Sequence, residues 1–211
     1  KTYTVISQLV NRKTGETVKD SEGNDCVHSS TFTANNTEET HKVFVGNISG
    51  KEFAGQQLVI QESIKWDNTI IATENDLNNT DQTIYFPIIH TKAVTDDHSS
   101  YASATGIVSL TDTLSYKGLL PDKTYTIKGS IMYLDEKNQP MPLKDSNGNP
   151  CVAEKTFTPK ETDGTVDIGF SIDTQKYSVQ GLKTVIFEEI YYNDFLLACH
   201  KDMNDANQTI F

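Results

Sequence analysis

Thr165-Val166-Asp167-Ile168-Gly169-Phe170-Ser171-Ile172 places an apolar side chain at every second position and a polar or small one between. Side chains alternate across a strand, so Val166, Ile168, Phe170 and Ile172 form one face and the run reads as a half-buried β-strand. The same period returns on either side of it. Tyr125, Ile127, Ile131 and Tyr133 share another face, and clusters of turn residues at 145–150, 162–164 and 202–207 separate the runs. No long stretch keeps a helical period. Short strands punctuated by turns predict an all-β chain of sandwich architecture.

Composition agrees with that class and excludes others. The 211 residues carry 18 basic and 29 acidic side chains, a net charge of −11, spread as 7 and 12 over residues 1–86 and 11 and 17 over residues 87–211. No basic patch that would neutralise phosphates is expected, so nucleic acid is not a partner. Apolar runs such as Phe195 to Cys199 fall far short of the roughly 18 residues that span a bilayer. No charged-then-apolar leader follows Lys1, so any secretion signal or anchor is expected outside these residues. Cys26, Cys151 and Cys199 are too few and odd in number for a disulfide framework, and none has zinc-site spacing. Asp145-x-Asn147 and Asp20-x-Glu22 are read as turns, because Gly148 and Gly23 fall at the fourth position and no bidentate Glu follows as a calcium loop needs. The chain calls for no metal and no cofactor.

A repeat with a period near 125 residues organises the chain. Lys1-Thr2-Tyr3-Thr4 returns as Lys123-Thr124-Tyr125-Thr126, and residues 20–27 (DSEGNDCV) match residues 145–152 (DSNGNPCV) at six of eight positions. Gln82-Thr83-Ile84 returns as Gln208-Thr209-Ile210. The first copy starts at the counterpart of Lys123, so nothing in it corresponds to residues 88–122. Two tandem domains are predicted, 1–86 and 87–211, with the boundary at Phe86-Pro87 and the first lacking its N-terminal strands. An open sheet edge would result there, covered by upstream chain or, less favoured, by a strand from another molecule.

Within this frame, polar residues appear with the parity of the core. Asp112 falls between Leu110 and Leu114, Thr91 between Ile89 and Ala93, and His200 follows Leu196 and Ala198. Gln208 pairs in parity with Ile210. Along residues 184–192 both Glu188 and Glu189 have apolar company. The first copy decides between them, since Ile60, Glu62, Ile64 and Trp66 make its apolar face and Glu62 corresponds to Glu188. A buried carboxyl is costly unless paired or protonated. Each of the five alone is compatible with an ordinary satisfied polar core. Together they supply a hydroxyl, an amide, two carboxyls and an imidazole, which is what acyl transfer inside a protein requires: a base for a poor nucleophile, and a donor to polarise a poor electrophile. The product would be a side-chain ester, with ammonia lost.

These residues carry a resemblance. Pro87-Ile-Ile-His-Thr91-Lys-Ala93, Asp112-Thr-Leu-Ser-Tyr116, Gly118-Leu-Leu-Pro-Asp-Lys-Thr-Tyr125, Val185-Ile-Phe-Glu188, and His200-Lys-Asp202 ending in Asn207-Gln208-Thr209 resemble the VaFE repeat, the Thr-Gln ester-bond domains of Gram-positive surface adhesins. The resemblance implies an immunoglobulin-like sandwich whose first and last strands are joined by an autocatalytic intramolecular ester. It implies Thr91 as nucleophile, Gln208 as acyl donor, Asp112 as base with Glu188 as its acid partner, and His200 as an aid to proton transfer. The reaction would be one self-modification without turnover. It further implies a structural stalk segment on a bacterial cell surface, anchored to the wall, monomeric and flanked by like repeats, with host ligands met by a distal domain. The first copy keeps Glu62 and Gln82 but has Glu74 where His200 stands, a degenerate site.

Other readings are weaker on the residues. Cys199 and His200 are adjacent in a strand and face opposite ways, a poor hydrolase dyad. A Lys-to-Asn isopeptide would need an inward lysine, whereas Lys92 and Lys201 have the outward parity. A ligand-binding adhesin module without a crosslink remains the alternative of a different class, although no loop tip marks a pocket.

Overall fold

Fourteen strands and three short 3-10 turns make up the chain, and the computed structural model describes all 211 residues. They form two units, Lys1–Phe86 and Pro87–Phe211. The first unit holds β1 (Thr2–Asn11), β2 (Val27–Thr33), β3 (Gln56–Trp66), β4 (Thr69–Glu74) and β5 (Thr83–Phe86). These make one antiparallel sheet in the order β2-β1-β3-β4, with β5 on the edge of β3. Leu9, Val18, Cys26 and Leu58 centre its small core, with Ile48, Phe53, Ile60 and Phe86 packed against them. Residues 40–49 cross this face without joining a strand. His41 stacks on Phe32 at 4.6 Å and the Phe44 ring meets His28 at 4.9 Å.

The second unit holds β6 (Ile88–Thr95), β7 (Ile107–Lys117), β8 (Tyr125–Leu134), β9 (Pro140–Pro142), β10 (Val152–Phe157), β11 (Gly164–Asp173), β12 (Thr184–Tyr192), β13 (Phe195–His200) and β14 (Thr209–Ile210). One sheet runs β10-β8-β12-β13, with β14 on β12 and β9 on β8, and the other runs β11-β7-β6. This is an immunoglobulin-like sandwich, and its inner faces carry the period-two runs. Ile168, Phe170 and Ile172 of β11 meet Leu110, Leu114 and Tyr116 of β7 and Tyr125, Ile127 and Ile131 of β8 in one core. Burying such side chains contributes about 1.5–3 kcal/mol each, and this core is the larger of the two. The Tyr125 hydroxyl accepts from the Leu120 amide at 2.9 Å and donates to the Leu120 carbonyl at 3.2 Å, fastening the loop that enters β8.

In the turn at 145–149, Asp145 Oδ1 accepts from the amides of Asn147 (2.9 Å) and Asn149 (2.8 Å). Its carboxylate thus closes the turn itself. All three cysteines are free, Cys26 and Cys151 buried and Cys199 exposed.

One parity reading needs correction. A bulge between Ile190 and Tyr191 pairs Ile190 with Ala198 but Tyr191 with Leu196. The alternation slips by one residue there, so Leu196 is 42% exposed while His200 keeps the inward side with Ala198.

Candidate functional site

Five side chains from five elements converge inside the second unit. β6 supplies Thr91 and β7 supplies Asp112, which stands opposite Ala93 rather than opposite Thr91. Glu188 on β12 pairs in register with His200 on β13. Gln208 ends the 3-10 turn Ala206–Gln208 that leads into β14. Asp112 and Glu188 are 0% exposed, Gln208 1% and Thr91 6%.

The Thr91 hydroxyl lies 3.0 Å from Glu188 Oε2 and 2.9 Å from His200 Nδ1. Gln208 Nε2 donates to Asp112 Oδ1 at 3.3 Å. Asp112 therefore touches the amide, and no hydrogen bond joins it to the threonine. The cause is register: β6 and β7 set Thr91 opposite Leu114, two residues from Asp112.

Burial, together with the hydrogen bond and charge of Asp112, pushes the Glu188 carboxyl up to about 11. Burial raises Asp112 as well. Two carboxyls this close and this dry hold a proton between them at neutral pH. Asp112 Oδ2, Glu188 Oε1 and Gln208 Oε1 lack other partners. A proton shared by the two carboxyls would satisfy one oxygen of each, while the glutamine carbonyl is left without a donor.

Asp205, which the sequence reading does not single out, completes the site. Its Oδ2 lies 3.1 Å from His200 Nε2, and its Oδ1 accepts from the Asn207 amide at 2.8 Å, capping the turn that carries Gln208. Its backbone carbonyl also accepts from the Thr209 hydroxyl at 2.8 Å. A signal for it exists in the repeat: where His200 is replaced by Glu74, the residue five positions on changes from Asp205 to Asn79. Asn79 keeps the capping bond, to the Asp81 amide at 2.9 Å, and a carboxylate partner is no longer needed.

In the first unit Glu62 and Glu74 stand side by side on β3 and β4, and Gln82 ends the matching 3-10 turn. Glu62 there accepts from the Ser7 hydroxyl at 3.0 Å. No threonine or aspartate of that unit faces Gln82 from a second sheet, because the unit has only one. Around the second unit's site, Lys201 points outward to Glu189 (2.5 Å) and Lys92 is exposed, so neither lysine enters the cluster. No group of three or more His, Cys, Asp or Glu side chains is arranged to hold a metal ion.

The second unit is a sandwich that buries a threonine of its first strand and a glutamine beside its last strand in one polar cluster. The chain belongs to the T-Q ester bond containing domain family, whose model matches residues 1–86 and again residues 87–211. Among solved structures it is similar to a bacterial adhesin from Mobiluncus mulieris containing intramolecular disulfide, isopeptide and ester bond cross-links. In one crystal form the identity is 14% and the TM-score 0.44, and in another 13% and 0.43. Each match covers 59% of this chain and 56% of that one. No curated protein matches the chain.

Proposed function

We propose that residues 87–211 close an intramolecular ester between Thr91 and Gln208 and that the chain is a stalk segment of a wall-anchored adhesin on a Gram-positive cell. The observation that carries this reading is the Thr91 hydroxyl within hydrogen-bond distance of both His200 Nδ1 and Glu188 Oε2 in a buried cluster that also holds the Gln208 amide.

Asp205 keeps the proton of His200 on Nε2, which leaves the Nδ1 lone pair facing Thr91. The Thr91 hydroxyl turns its single proton from Glu188 Oε2 to His200 Nδ1, and His200 takes it as Thr91 Oγ1 adds to Gln208 Cδ. The proton shared by Asp112 and Glu188 moves to the developing oxyanion and then to the departing nitrogen beside Asp112 Oδ1. The C–N bond breaks, ammonia leaves, and the imidazolium returns its proton to the carboxyl pair. One O–C bond has replaced one C–N bond, and every proton is accounted for. Preorganisation does most of the work, since effective concentrations reach about 10⁵ M or more for groups held in contact. The reaction runs once per molecule.

The test is the intact mass of the denatured chain beside that of Thr91→Ala. A deficit of one ammonia in the wild type that disappears in the variant, with a linked peptide joining Thr91 to Gln208, is the expected result. The variant also controls for succinimide formation at Asn147-Gly148, which loses the same mass. A full mass in well-folded wild type would refute the reading.

A further inference from the structure

The residue paired across the sheet with the inward glutamate differs between the two units. In the second unit the inward face of β8 runs Tyr125, Ile127, Gly129, Ile131, and Gly129 pairs directly with Glu188. In the first unit the matching residue is Ser7, which pairs directly with Glu62. Opposed residues in antiparallel strands project to the same face about 4.5–5.5 Å apart at Cβ. Ser7 uses that proximity to donate to Glu62 Oε1 at 3.0 Å. At Gly129 the space is taken by Phe170, whose Cζ lies 2.5 Å from where a Cβ would stand. The ring, 5% exposed, therefore occupies the place beside Glu188 that a hydroxyl occupies beside Glu62.

We propose that Gly129 is a positioning residue for the ester-forming reaction: lacking a side chain, it seats the Phe170 ring beside Glu188, so that the reacting Thr91 is the hydroxyl on that carboxyl and no second donor stands where Ser7 stands beside Glu62. This rests on the crosslinking function proposed above. A hydrogen bond donated to a carboxylate favours its ionised form, whereas an aromatic ring offers nothing and excludes water. Glu188 in its apolar seat keeps the proton that the departing amide needs.

The experiment separates bulk from hydroxyl. Chains made in a cell-free reaction are followed by intact mass for loss of one ammonia. Phe170→Leu makes room for a Cβ, so Gly129→Ala/Phe170→Leu and Gly129→Ser/Phe170→Leu both lose the ring and differ from each other only by the hydroxyl. The serine pair is expected to be slower than the alanine pair by about tenfold or more, a modest share of what a proton donor contributes. In a Thr91→Ala background, carboxyl carbon NMR should show Glu188 ionising at lower pH with Gly129→Ser/Phe170→Leu than with the alanine pair. Equal rates and equal titration for the two double variants would overturn the role of Gly129 while leaving the ester intact. A wild type of full mass would instead defeat the crosslink reading, and the role of Gly129 with it.

Discussion

Asp205 carries two duties that a single substitution separates. Asparagine caps such turns as well as aspartate does, as Asn79 shows in the first unit, but its side chain cannot stabilise an imidazolium. Asp205→Asn is therefore expected to leave the melting temperature of an uncrosslinked background unchanged and to slow ammonia release by about 10²-fold or more. Glu188 gives a pH signature in Thr91→Ala. Its folded-state value is raised above the ordinary carboxyl value of 4.5, so the folded chain keeps a proton that the unfolded chain releases. That stability is complete below the ordinary range and is lost progressively as pH rises towards about 11, with Asp112 acting in the same sense. The urea midpoint should fall between pH 5 and pH 9, and Glu188→Gln should flatten the slope. Of these residues, Asp112 is legible in the sequence because two leucines flank it at strand spacing, and Glu188 because its repeat partner resolves an ambiguous strand. Gly129 is not, since a cross-strand neighbour is a tertiary fact, and for Asp205 the sequence holds only the change to Asn79 in the first repeat. A glycine in the middle of an inward face is nonetheless a visible irregularity.

At the level of elements, β7 and β12 are the central strands of their sheets, and each places a carboxyl between large buried residues. Leu114, which is 0% exposed and opposite Thr91, holds β6 at its spacing from β7. Leu114→Ala in the Thr91→Ala background should cost about 2–5 kcal/mol, measured by urea unfolding. Most strands follow from period two alone. The exception on β13 is instructive: an extra residue at the bulge changes which side chains face inward, and nothing in Phe195-Leu196-Leu197-Ala198 announces it. The same limit applies to residues 40–49, which lie between β2 and β3 as β11 lies between β10 and β12, yet form no strand. A strand needs a partner, and in the second unit that partner is β7.

For the whole molecule, the proposed ester would enclose more than 100 residues, from β6 to the turn before β14. Closing a loop of about that size in the unfolded chain is worth about 4.7 kcal/mol in the chain-entropy account. The unfolding transition of residues 87–211 should move up by an amount of this order relative to Thr91→Ala. The site's exposure adds a consequence concerning time rather than strength. Only the facing side chains of His200 and Asp205, 17% and 19% exposed, reach solvent, and His200 sits on the outermost strand of its sheet. If the proposed ester forms, the ammonia released would leave past these two side chains, and water would have to reach the bond the same way to undo it. The lifetime of the link is then set by how often an edge strand breathes, and hydrolysis should keep pace with amide exchange along β13.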